Sequence, residues 1–143
     1  INAEYGEMEQ LVAKCSGSLE YARLVYQCSQ KDLLLKLFNH RHIQTRADSH
    51  TVIFLVKQMQ LKIDQQTLLY LLGQPQFKYV KAFYLLFMRC SKQQFALEAF
   101  KSALNDFRKV KVDGEVTTID QFAFRLLTES KVGDIEFSFK IQM

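Results

Sequence analysis

The chain has no tryptophan, a single proline and no low-complexity tract. At 143 residues that describes one domain of ordinary size, able to bury a core. No run of eighteen apolar residues occurs, which argues against a transmembrane helix. The polar, acidic start INAEYGEMEQ lacks the basic-then-apolar pattern of a secretory signal. Cysteine is sparse too. Cys15, Cys28 and Cys90 are odd in number and widely spaced, matching neither a disulfide framework nor a zinc pattern. A reducing compartment, cytoplasm or nucleus, is expected. There is no glycine-rich phosphate loop, no Ser or Cys nucleophile signature and no EF-hand loop. Carboxylates paired for acid–base work are also missing: Asp106, Asp113, Glu115 and Asp120 fall on a surface and a turn. An enzyme is therefore not expected, nor a cofactor. His40, His42 and His50 crowd one polar stretch beside Asp48, but no cysteine is near, and a metal site is not expected there.

Positive charge is unevenly placed. Residues 31–111 hold fourteen basic and five acidic groups, whereas both flanks are mildly acidic. A basic middle can attract nucleic acid or an acidic protein; the alternative is a solvated surface with its excess spread evenly.

What the chain has in quantity is aromatic and aliphatic side chains, most densely in PQFKYVKAFYLLFMRC, residues 75–90. This stretch is apolar on nearly every helical face, so it is predicted to be a central buried helix over 75–91. Lys78, Lys81 and Arg89 recur at helical spacing and are read as one basic strip towards solvent or a partner. Around it the pattern predicts a mainly α, compact multi-helix bundle. A weak helix over 3–15 is followed by one from Leu19 to Gln27, with Leu19, Ala22 and Tyr26 on one side and Val25 beside them. Ser29 is read as an N-cap with Asp32 in the first turn, and Leu34, Leu37 and Phe38 as the packed face. Residues 39–50 read as a polar loop, long enough to be functional. Asp48 or Ser49 caps the next helix (His50–Gln60), and Asp64 the one stopped by Gly73. A second long helix is predicted over 93–109, with Phe100, Ala103, Leu104 and Phe107 in its stripe. The period then changes to two about Asp113-Gly114, a signature of a β-hairpin at about 109–118. Asp120 is read as the cap of a last helix with Phe122, Ala123 and Leu126 inward. Val132-Gly133-Asp134 is read as a turn, and 136–143 as a flexible tail.

Three segments carry a family resemblance: FKYVKAFYLLFMR at 77–89, LNDFRKVKVDGEV at 104–116 and IDQFAFRLLTESKVGDI at 119–135. In order and spacing they resemble the amino-terminal domain of the pre-mRNA-splicing factor 38 family, which is typified by an FKYVR-type helix ending in MR. A YNDYRK-type helix end, a GEF strand, a VDEFIDELL-type helix and a VCDI-type close follow it. The match is best over 51–135 and treats 1–143 as a single domain. In the first third, Glu20-Tyr21-Ala22-Arg23 stands where the family has Tyr-Trp-Lys-Glu, and the family's Gly-rich loop is replaced by His42–Phe54.

The resemblance implies an almost wholly helical domain with a small hairpin. It implies a nuclear protein-interaction scaffold of the tri-snRNP or precatalytic B complex, needed during spliceosome activation. Implied partners are other spliceosomal proteins, including relatives of microfibrillar-associated protein and a small zinc-finger splicing protein. Candidate partner-binding residues are Lys78, Lys81, Arg89, Asp106, Arg108 and Lys109. Asp106 and Arg108 have an equal alternative as charge-assisted bonds that pin the hairpin. A second reading is direct RNA binding by the basic middle, with Arg41, His42, Arg46 and Lys57 as candidate contacts beside Lys78 and Lys81.

Overall fold

Local capping sets the helix boundaries of the computed structural model, which describes residues 9–90 and 96–137. Among them are α1 (Glu9–Ser16), α2 (Leu19–Val25), α3 (Gln30–Phe38), α4 (His50–Gln60), α5 (Gln65–Gly73), α6 (Lys78–Cys90), α7 (Ala96–Ala103) and α8 (Ile119–Thr128). Strands β1 (Lys109–Val112) and β2 (Glu115–Thr118) form one antiparallel hairpin, and β3 (Lys131–Val132) and β4 (Ile135–Glu136) a second. Ser29 and Asp32 make a reciprocal capping box on α3. Ser49 caps α4, and the Asp64 side chain accepts from the Thr67 N–H on α5 at 2.8 Å. The α5 helix runs through Gly73, and Gln74 follows it in extended conformation.

The central helix begins at Lys78, not Pro75. Gln74 orders the turn ahead of this helix: its Oε1 accepts from the N–H groups of Gln76 and Phe77 at 2.9 and 3.0 Å. From Val80 to Cys90 every residue of α6 is buried, because α3, α4, α5, α7 and α8 all pack on it. No face is left for a solvent strip. Lys81 and Arg89 are 7% and 4% exposed, so the strip read from the sequence is corrected: of its three members only Lys78 reaches solvent, and it is half-buried.

Other faces differ from the sequence pattern as well. In α2 the buried pair is Tyr21 and Val25, while Leu19 and Tyr26 are exposed. In α3 it is Leu33 and Leu37, with Leu34 and Phe38 half-buried. The helix expected over 93–109 ends at Ala103; its first three residues lie outside the described residues. Asn105 and Asp106 donate back to Ser102 and Ala103 carbonyls in a tightening turn, and the Asp106 carboxylate then accepts from the Arg108 N–H at 3.2 Å. A short acidic side chain that takes a backbone donor in this way competes with helix continuation. Phe107 consequently points out.

The β1–β2 register is as the Asp-Gly pair predicts, with φ of 51° at Asp113 and 86° at Gly114, both positive as a type I′ turn needs. Thr118, rather than Asp120, occupies the N-cap position of α8, and its hydroxyl donates to the Asp120 carboxylate. Phe122, Ala123 and Leu126 are buried as expected. Of the tail expected over 136–143, Glu136 pairs in β4, and the Phe137 N–H donates to the Ser130 carbonyl at 2.9 Å. Residues 138–143 lie outside the described residues.

Candidate functional site

Two polar centres are built into the body. The first joins α6 to the start of the hairpin. Lys81 Nζ donates to Asp106 Oδ2 at 2.9 Å, and the Arg108 guanidinium grips the same carboxylate through Nε and Nη2, the latter at 2.6 Å. Arg108 Nη1 also donates to the Pro75 carbonyl. The Asp106 side chain is 11% exposed and that of Lys81 9%. The Arg108 guanidinium, then the Lys81 ammonium, hold the Asp106 carboxyl well below the usual carboxylate range, against the opposing effect of burial. Further along α6, Arg89 Nε donates to the Leu126 carbonyl at 2.6 Å, and its guanidinium lies 4.3 Å from the Phe137 ring centroid. Four of the six candidate partner residues thus hold α6, the hairpin and α8 together.

The second centre is the loop from residue 39 to 49. It is polar in sequence, but its backbone is laced to both hairpins. The Ile43 N–H donates to the Lys111 carbonyl at 2.9 Å, and the Asp113 N–H to the Ile43 carbonyl at 2.8 Å. The Thr45 N–H and hydroxyl both donate to the Asp113 carboxylate, the former at 2.8 Å. Asp134 closes the other side: its N–H donates to the Thr45 carbonyl, and its carboxylate accepts from the Ala47 N–H at 2.8 Å. Ile43 and Thr45 are fully buried.

The three histidines divide among different tasks. His42 Nε2 accepts from the Gly114 N–H at 2.9 Å. His40 Nε2 meets the Thr51 hydroxyl at 2.7 Å, and the Gln44 N–H donates to that same hydroxyl. Burial, aided by the nearby His50 and His42, lowers the His40 pKa to about 4. The unfolded chain therefore takes up this proton first, near pH 6.5. Stability from neutral His40 is complete above that pH and is lost as the pH falls from 6.5 towards 4. Melting temperatures across this window should fall more steeply for the wild type than for His40→Asn; parallel curves would contradict it. No group of three His, Cys, Asp or Glu suited to a metal occurs among the described residues.

Of the candidate RNA contacts, His42 and Arg46 line one cleft with Asp48, His50 and Gly133. Arg41 lines a different one, against α6 and Arg108, and Lys57 on α4 lines neither. The structure does not gather the four into one surface. Phe38 and Tyr79 pack on the core as expected, half-buried, while Phe77, also read as core, is exposed; all three line the Arg41 cleft.

The sequence model of the PRP38 family matches residues 9–142. The chain belongs to the PRP38 family. A search of curated proteins finds no sequence match. Among solved structures the chain is similar to one in the crystal structure of the Snu23–Prp38–MFAP1(217–258) complex of Chaetomium thermophilum, at a TM-score of 0.83 and 19% identity, covering 94% of this chain and 76% of that one. At that identity the likeness shows a shared fold. In this PRP38-family chain the NDFRK segment, Asn105–Lys109, is the hinge between α7 and the hairpin, and its Asp106 and Arg108 make the ion cluster on α6.

Proposed function

We propose that this chain is a protein-interaction scaffold of the pre-mRNA splicing machinery, acting in the nucleus in the tri-snRNP or precatalytic B complex during spliceosome activation. The observation that supports it is the family match over 9–142, together with a fold shared with a chain crystallised in the Snu23–Prp38–MFAP1 complex. By that analogy its partners are an MFAP1-type segment and a Snu23-type zinc-finger protein. The body suits this work as a rigid platform. Its buried ions are tied up in structural bonds, and large apolar side chains remain outside for a partner to cover. Val116 and Phe124, 70% and 59% exposed, lie on the continuous hairpin–α8 segment, and Phe107, 69% exposed, lies two residues ahead of it. Helical or extended partner segments are expected on such surfaces.

Lys109, exposed beside them, remains a partner-binding candidate; Lys81, Arg89 and Asp106 act instead by holding the platform's shape. Immobilised chain should retain MFAP1-type and Snu23-type segments directly. The double variant Val116→Glu with Phe124→Glu should lose at least one of them while keeping wild-type melting. Retention of neither segment by the wild type would overturn the scaffold reading. Full retention by the variant would move the docking face elsewhere.

A further inference from the structure

The cleft between the end of α3, the start of α6 and the NDFRK hinge combines flat rings with positive charge. The rings of Phe38 and Phe77 are in tilted contact, centroids 4.6 Å apart and planes at 31°, and Phe77 is 38% exposed. Lys78 Nζ sits 5.6 Å from the Tyr79 ring centroid, and the Tyr79 hydroxyl accepts from the Lys111 N–H, which brings β1 to the rim. Arg41 is exposed at one side, with a single guanidinium nitrogen bonded to the carbonyls of Phe38 and His40. Opposite, Lys81, Asp106 and Arg108 together carry one net positive charge. Asp106 is held below the usual carboxylate range by both cations, so it stays ionised and the cluster's charge is fixed at neutral pH. No carboxylate lines the cleft itself among the described residues.

We infer that this cleft binds single-stranded nucleic acid, one base stacking on Phe77 and the flanking phosphates meeting Lys78 and Arg41. Charge alone would serve an acidic peptide equally well. The ring arrangement favours a base: Phe77 is exposed among cations while its contact with Phe38 holds the ring in place, so little ordering is needed when a base meets it. Only an unpaired strand can offer the face of a base to a protein ring, which rules out a duplex as the ligand. Arg108 also lines the cleft, its guanidinium held in place by Nε and Nη2 on the Asp106 carboxylate and by Nη1 on the Pro75 carbonyl. This inference does not depend on the scaffold reading. Partner segments are placed on the hairpin–α8 segment, and the cleft belongs to α3, α6 and the hinge.

The test is fluorescence anisotropy of labelled oligouridylate and oligothymidylate, with a labelled polyglutamate peptide as the third probe. Wild-type chain should bind both oligonucleotides at low salt, with affinity falling linearly on a logarithmic salt scale. Phe77→Leu keeps apolar packing on Phe38 but removes the flat surface, and should weaken binding about tenfold with unchanged melting. Lys78→Gln should weaken both oligonucleotides alike and reduce the salt slope by about one. Preference for uridylate over thymidylate would identify RNA, and the reverse DNA. Absence of binding at low salt, wild-type affinity in both variants, or equally tight binding of polyglutamate would each overturn the inference.

Discussion

Asp106→Ala is expected to lower the free energy of unfolding by about 3–5 kcal/mol, the range for removing one partner from a buried ion pair. The loss comes mainly from what is left behind. Lys81 stays in the core, 7% exposed, with its ammonium carboxylate-free, and Arg108 loses the carboxylate that holds its Nε and Nη2. Lys81→Met should cost much less. It deletes the buried charge together with its desolvation penalty, keeps the stem volume, and leaves Asp106 to Arg108. Urea unfolding of the two variants decides the matter: equal losses would mean that the cluster is not a coupled unit. Acid gives a second readout. The Asp106 pKa is depressed, so its contribution is whole above its unfolded value of 3.8 and declines as the pH falls below that. The gap between wild type and Asp106→Ala should therefore narrow below pH 3.8 and be constant above it.

Gly133→Ala is expected to cost about 2–4 kcal/mol, combining left-handed strain with overpacking. Gly133 has a φ of +58°, and a Cβ there would stand 1.9 Å from the Thr45 hydroxyl and 2.6 Å from Thr45 Cβ. Thr45 is fully buried and bonded to Asp113, so it has nowhere to retreat. Gly114→Ala is the control: its φ is +86°, but nothing lies within 4 Å of the added Cβ. Only the backbone strain should appear there, about 1 kcal/mol. Thermal melting of the pair measures the difference, and equal effects would show that contact with Thr45 is unimportant.

What was legible in the sequence was local. Ser29, Ser49 and Asp64 each meet a backbone N–H three residues on, and Asp113-Gly114 needs only its own φ values. The apolar density of residues 75–90 likewise marked α6 as the centre of the bundle. The fate of its cations was not legible. A wheel projection shows Lys81 and Arg89 on one stripe, but their burial depends on Asp106 and the Leu126 carbonyl, 25 and 37 residues away. Loop 39–49 was legible as a loop, and its polarity suggested a free surface. Its polar groups are in fact matched by Asp113 and Asp134, which no periodicity could reveal. The paired strands β3 and β4 are two residues each, too short for an alternation to register, although the turn between them carries its Gly-Asp signal. In the cleft, Phe77 carries both roles: its ring touches Phe38 yet the residue is 38% exposed, which a hydrophobic pattern scores only as core.

The lacing of loop 39–49 also fixes an order of events during synthesis. Thr45 waits for Asp113, 68 residues later, and Ala47 for Asp134, 87 residues later. Helices α3 and α4 can cap themselves as they leave the ribosome, whereas the segment joining them stays unlatched until nearly all the described chain has emerged. Closing such wide spans is slow relative to helix formation. The nascent chain therefore passes through an interval in which α3 and α4 can already pack on α6 while the loop between them is still open to a protease or a chaperone.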